Sequence, residues 1–323
     1  MFDVITFGSA TGDIFVKIKE KPSAEIASQF CFNRGDKVET GDWQIFSGGG
    51  GANTACTFAL QGLKTAYCGI TGNDYFGKLN RQALKSRGVD LRFFNEVKSR
   101  QTALSVILSS GQNDRLIFVA PGACHFQTEK DIAWPKIKKT KWFYIAPLHH
   151  QSCDLLKHLV DFAVEKKIKA ALNPSEFQIK NNQGELKQVM AGVDVLLLNL
   201  DEASSLAELD KTHEKDIAEK IYSWGAKLVV ITKGKEGALI FDGHNFYTAG
   251  IFPIEAVERT GAGDAFGSGL VAGLLLKNDI KYAIRLAMAN SASCLKEIGA
   301  ENGLLRKGEV EKWPLLDVKS YAN

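Results

Sequence analysis

The chain has 323 residues, 45% of them hydrophobic, enough to bury a sizeable core in one or two domains. A net charge of +3, with Lys and Arg dispersed, excludes an electrostatic nucleic-acid binder. No apolar run approaches the ~18 residues that span a membrane, and residues 1–8 lack the basic and apolar regions of a signal peptide. Six cysteines (Cys31, Cys56, Cys68, Cys124, Cys153 and Cys294) stand far apart with no Cys-x-x-Cys pair. That spacing predicts reduced, buried thiols in a cytoplasmic protein, with neither a zinc site nor a disulfide framework.

Along the chain, apolar bursts alternate with segments of helical character. Strands are expected at 4–8, 66–70, 142–146, 170–173, 193–199, 228–232 and 238–241. Helices are expected at 51–61, 77–87, 153–166, 215–224, 262–277 and 280–295. This is the βαβ rhythm of a mainly parallel sheet covered by helices. Two stretches, 14–47 and 92–120, break it with alternating patterns. They read either as surface hairpins or as a small β lid that excludes water from a reacting group.

Asp13 follows the first strand, at the end of an α/β sheet where ligands bind. It can accept sugar hydroxyls there or simply form a turn. Gly48 to Gly51, then Ala52 and Asn53, open the next helix. Such glycines let backbone lie against a polar ligand, and the Asn53 amide can donate and accept; the plainer reading is a loop entering a helix. The run from Gly72 to Lys78 approaches a P-loop, but Leu79 stands where a magnesium-binding hydroxyl is needed.

The most informative stretch runs from Arg259 to Gly269. Gly261, Ala262 and Gly263 stand at the mouth of an apolar helix, whose first N–H groups have no intrahelical partner and carry partial positive charge. Glycines there let an anion approach closely, which makes a phosphate cradle. Asp264 would repel a phosphate unless it takes a proton from an attacking hydroxyl. A dinucleotide fingerprint fails on spacing, because Phe266 holds the place of the third glycine.

Gly261-Ala262-Gly263-Asp264 near the end, with Gly49-Gly50-Gly51-Ala52-Asn53 near the start, resembles the ribokinase-like (PfkB) carbohydrate kinases. The resemblance covers nearly the whole length. It implies one domain over 1–323, built as a three-layer α/β/α fold with a mainly parallel central sheet. It also implies a small β-strand lid from about 14–47 and 92–120, through which many members dimerise. Asp13, Gly49, Gly50 and Asn53 then match substrate contacts, although ribokinases commonly carry lysine at the place of Gly50. Asn199 matches a contact to nucleotide phosphates, and Glu202 an organiser of magnesium through water, whereas the residues alone read equally as a helix cap. Thr232 and Gly234 fall on an ATP-binding turn, and Asn290 where relatives place an adenine-side asparagine. Glu258 occupies the place of an Asp in a monovalent-cation site, so potassium is a possible further cofactor. Asn173-Pro174 resembles a segment lining the same cleft. His149 and His150 form no metal spacing and are expected to be structural.

The expected function is an ATP- and Mg2+-dependent kinase acting on a hydroxyl of a small sugar or nucleoside, with Asp264 as base. The alternative is a non-catalytic sugar or nucleotide sensor, for which a base beside the phosphate would have no use. Nucleic acid and membrane are not expected partners.

Overall fold

The computed structural model describes residues 1–18, 34–109 and 115–322. Parts of both expected lid segments (19–33, with Cys31, and 110–114) lie outside the described residues. In chain order the strands are β1 (Phe2–Phe7), β2 (Thr11–Ile18), β3 (Thr40–Gly48), β4 (Thr65–Gly72), β5 (Asp90–Val97), β6 (Ala103–Ser109) and β7 (Arg115–Ala120). They continue with β8 (Thr140–Ile145), β9 (Lys169–Leu172), β10 (Val195–Asn199), β11 (Val229–Thr232), β12 (Ala238–Phe241), β13 (Asn245–Ala249) and β14 (Val318–Ala322). The helices are α1 (Gly50–Leu60), α2 (Tyr75–Ser86), α3 (Trp134–Ile137), α4 (Leu155–Lys166) and α5 (Glu176–Asn181). After them come α6 (Gln183–Val189), α7 (Leu200–Ala207), α8 (Glu214–Tyr222), α9 (Ala262–Lys277) and α10 (Ile280–Cys294).

A ten-stranded sheet runs in the order β14-β13-β12-β11-β10-β9-β8-β1-β4-β5. From β5 to β11 its neighbours are parallel, and only β12, β13 and β14 are added antiparallel. Alternation along each strand feeds two cores. Ile5, Phe7, Phe143 and Ile145 face one way, onto α4 with α6, α7 and α8. Val4, Trp142 and Tyr144 face the other way, onto α1, α9 and α10. The result is a three-layer α/β/α fold, as the βαβ rhythm predicts. Among the described residues, no helix is long and apolar enough to cross a membrane. The five described cysteines are buried and free, and burial pushes the Cys68, Cys124, Cys153 and Cys294 thiols up to about 12.

A second, four-stranded sheet in the order β3-β2-β6-β7 forms the lid. Its bounds differ from the expected segments. The first strand begins at Thr11, three residues before the expected start, because β2 leaves β1 after only a short link. Residues 92–97, expected with the lid, instead pair with β4 in the large sheet, where Phe93 and Phe94 are buried in two different cores. Strand β5 is the far end of a β4-α2-β5 crossover, and both its faces are covered.

Candidate active site

The lid strands leave and re-enter the large sheet at one place. Strand β1 passes through Gly8 to Ala10 into β2, which carries Asp13. Strand β3 returns through Gly48 and Gly49 into α1, which carries Asn53. The chain is tightly packed at this junction. A Cβ on Gly48 would lie 1.9 Å from Asp13 Oδ2, and one on Gly49 would lie 2.6 Å from the Ser9 carbonyl oxygen. Gly49 also has φ +98°, a conformation that disfavours any side chain. Ser9 ties the two segments together: its Oγ accepts from the Gly50 N–H at 3.1 Å, and its carbonyl from the Ala52 N–H at 3.2 Å. Asp13 is only 5% exposed and accepts from Thr11 Oγ1 at 3.0 Å. Burial pushes its carboxyl above the ordinary value, hydrogen bonds from Thr11 and Ser105 oppose the rise, and the charge of Asp264 adds to it.

Facing this junction is the start of α9. Gly261 is its N-cap at φ +82°, and the first intrahelical bond runs from the Ala265 N–H to the Gly261 carbonyl at 2.8 Å. The Ala262 N–H makes only a long contact, 3.4 Å, to the Arg259 carbonyl. The following amides, of Gly263 and Asp264, belong to the turn whose N–H groups have no intrahelical acceptor. Asp264 Oδ2 accepts from Asn53 Nδ2 at 2.9 Å, a bond joining residues 211 apart in sequence. Asp264 Oδ1 lies beside Gly50, 3.3 Å from where a Cβ there would stand, with the Pro147 ring 3.1 Å from the same point. Burial raises the Asp264 pKa and the Asn53 hydrogen bond only partly offsets that, so the carboxylate is held in place and made more basic. Asn53 is itself buried at 4% exposure, with its amide nitrogen bonded to Asp264 and its amide oxygen left without a partner. It orients the carboxylate.

The residues expected on the nucleotide side stand at the carboxyl ends of β10 and β11. Asn199 Oδ1 accepts from the Glu202 N–H at 2.8 Å, and Glu202 Oε2 accepts from the Asn199 N–H at 2.9 Å. This is a capping box that starts α7. It also fixes the Glu202 carboxylate at the wall of a hollow of about 260 Å³ shared with Asn199, Glu176 and Lys180. Burial pushes the Glu202 carboxyl above its ordinary value despite the capping amide. Among the described residues, no group of three or more His, Cys, Asp or Glu could cage a metal. A single fixed carboxylate suits Mg2+, which keeps its waters and leans on substrate phosphates. Thr232 ends β11, and Gly234, at φ +56°, has open space where a side chain would stand. Lys233 Nζ is paired with Glu214 at 2.8 Å.

Two expected positions are otherwise engaged. Asn290 is wholly buried. Its Nδ2 donates to the Ala265 carbonyl at 2.8 Å and to Thr57 Oγ1 at 3.3 Å, while its Oδ1 accepts from the Leu305 N–H at 2.8 Å. It joins α1, α9 and the chain near Leu305 and is not brought to the cleft. Glu258 has one oxygen fully engaged. Its Oε1 accepts from Arg115 Nη1 (2.7 Å), the Arg259 N–H (2.7 Å), the Thr260 N–H (3.0 Å) and Thr260 Oγ1 (2.9 Å). Those donors fill the oxygen, and the guanidinium already balances its charge, so the residues present do not suit a potassium ion there.

Sequence reasoning missed two residues beside the site. Glu301 is 4% exposed, accepts from Ser47 Oγ at 3.1 Å and pairs with Arg87 at 3.4 Å. It lies close enough for the Asp13 charge to raise its pKa, although burial is the larger cause. Only a lone acid after the small residues Gly299 and Ala300 signalled it. Arg115, the other, lines a cavity of about 440 Å³ between the lid and the 255–259 loop, together with Phe15, Lys17, Gln44 and Arg259. Asp13 lies two residues before Phe15 on the same face of β2.

With this geometry in place, the sequence matches the pfkB family carbohydrate kinases over residues 4–307. The chain belongs to that family. It is 26% identical over 274 residues to an ATP-dependent 6-phosphofructokinase of Thermoanaerobacterium thermosaccharolyticum, covering 82% of this chain and 84% of the relative. It is 28% identical over 265 residues to a cytidine kinase of Thermococcus kodakarensis, covering 78% and 88%. The Arabidopsis thaliana ribokinase solved with ribose and ATP shares the fold at a TM-score of 0.81, with 22% identity and 96% and 98% of the two chains covered. Family membership makes the chain a phosphotransferase of the sugar and nucleoside kinase type.

Proposed function

We propose that this protein transfers the γ-phosphoryl group of ATP to a hydroxyl of a small sugar or nucleoside, with Asp264 as general base. The observation that carries the reading is the juxtaposition at the start of α9. A carboxylate made more basic by burial and held by Asn53 stands in the same helical turn as N–H groups without intrahelical acceptors. Asp13 and the backbone at Gly49 and Gly50 hold the acceptor so that its hydroxyl meets Asp264, which takes the proton. The N–H groups of Gly261, Ala262 and Gly263 face the transferring phosphoryl and stabilise its developing charge. Thr232, Gly234 and Asn199 line the nucleotide side, and Glu202 is the residue that would hold magnesium through water. Magnesium, when bound, neutralises phosphate charge. The lid covers the acceptor and excludes water. Its β7 strand exposes Leu116, Ile117, Phe118 and Val119, which supports a homodimer formed through the lid.

The test is an acceptor screen following ADP release with ribose, fructose, fructose 6-phosphate, adenosine and cytidine. Turnover of one class well above the rest is expected. Nucleotide binding without any acceptor-dependent ADP release would sink the proposal.

A further inference from the structure

Arg115 is the first residue of β7, on the lid, and it reaches across to the loop that enters α9. One of its nitrogens, Nη1, donates both to Glu258 Oε1 at 2.7 Å and to Thr260 Oγ1 at 2.9 Å. Thr260 immediately precedes Gly261, the N-cap of the helix that bears Asp264. Glu258 in turn gathers the Arg259 and Thr260 amides onto the same oxygen. The loop is therefore folded around one carboxylate oxygen whose countercharge comes from the lid. Glu258 is 13% exposed and Arg115 34%, so the pair is partly shielded from solvent. A like charge beside the guanidinium would be repelled.

We infer that Arg115 is a positioning residue that carries closure of the lid to the phosphoryl end of the site, and that its guanidinium supplies the positive charge a monovalent cation would otherwise bring to Glu258. With the lid down, Arg115 fixes Thr260, and with it the turn from Gly261 to Asp264. With the lid lifted, Glu258 loses its countercharge and the loop loses its outer anchor. Closure over the acceptor and alignment of the anion hole are one event, and potassium has no part in it. The turnover arm of the test rests on the kinase reading; the exchange arm does not.

The test uses the full chain carrying Arg115→Gln or Arg115→Lys, with ribose, fructose 6-phosphate and cytidine as acceptors, in potassium or tetramethylammonium chloride. Arg115→Gln should lower kcat about ten- to hundredfold, the effect of slightly misplaced reacting groups. Its KM for ATP should move less than about threefold, because nucleotide contacts are untouched. Arg115→Lys should recover most of kcat, since a single nitrogen makes both contacts and lysine keeps the charge. The unsubstituted protein should turn over equally in the two salts. Independently of turnover, amide hydrogen exchange over residues 256–266 should quicken about tenfold in Arg115→Gln while β10 stays protected. Unchanged kcat and exchange in Arg115→Gln, or stimulation of the unsubstituted protein by potassium, would overturn the inference. If none of the three acceptors is phosphorylated, the kinase reading fails for them, and the exchange measurement still decides whether Arg115 anchors the loop.

Discussion

Glycines crowd both ends of the cleft, but not all for one reason. At the acceptor end, a Cβ on Gly48 would strike Asp13 and one on Gly49 would strike the Ser9 carbonyl, so the folded chain itself demands glycine there. Beside Asp264, Gly261 is demanded likewise, by φ +82° and by Ala300 Cβ lying 2.4 Å from where its own Cβ would stand, but at Gly263 and at Gly234 no described atom beyond the neighbouring chain comes within 4 Å of that point. Packing sets no demand for glycine at Gly263. Gly48 and Gly49 are a packing requirement of the fold, as is Gly261, whereas Gly263 is not.

Substitutions at the two ends should therefore fail differently. The largest effect is expected for Asp264→Asn, which removes the base and should lower turnover about 10²–10⁴-fold while calorimetry shows ADP binding retained. Its fold should not suffer. Because the folded pKa of Asp264 is raised, its ionised form costs stability at neutral pH, and that cost is relieved as pH falls through the raised value. The asparagine variant should melt at the same temperature or higher. Turnover of the unsubstituted protein should fall as pH drops through the same raised pKa. Near-normal turnover in Asp264→Asn would end the assignment.

Next comes Gly263→Val, expected to raise the barrier by about 3–4 kcal/mol, as for loss of an oxyanion-hole donor. Since open space surrounds that Cβ, its melting temperature should stay within a few degrees of the parent, about the span of a 1 kcal/mol change. A folded variant that transfers phosphate normally would reduce the glycine run to a helix entry. Asp13→Ala should weaken acceptor binding by about 1.5–3 kcal/mol, the range for hydrogen bonds to a charged group, and ATP binding far less. Equal losses in calorimetry would move Asp13 out of the acceptor site. The smallest effect should come from Gly49→Ala, and it should fall on stability. A positive φ with a 2.6 Å approach to Ser9 predicts a loss of about 1–3 kcal/mol in denaturant unfolding. Unaltered stability there would erase the contrast between the two ends.

Much of this was legible in the chain because the signals are local. Strand β4 is buried throughout, and its continuous apolar run reads directly as an interior parallel strand. The α9 entry reads from glycine spacing and the carboxylate that follows. What escaped reading was tertiary. Asn290 looks like any polar residue on a helix; only the docking of α10 onto α9 shows that its amide is consumed by three segments. Arg115 and Glu258 meet across 143 residues, and neither carries a local pattern that announces the other. Residues 92–97 alternate like lid strands, yet the crossover through α2 delivers them to the edge of the large sheet.

The buried amide of Asn290 has a mechanical meaning. It is bonded at once to Thr57 on α1, to the Ala265 carbonyl on α9 and to the Leu305 amide. Sliding α9 in any direction would strand a buried polar group, at about 1–3 kcal/mol for each bond left unmade. The helix that presents Asp264 is thus tied at one buried point to both α1 and the chain near Leu305, so its place against α1 is set from inside the core.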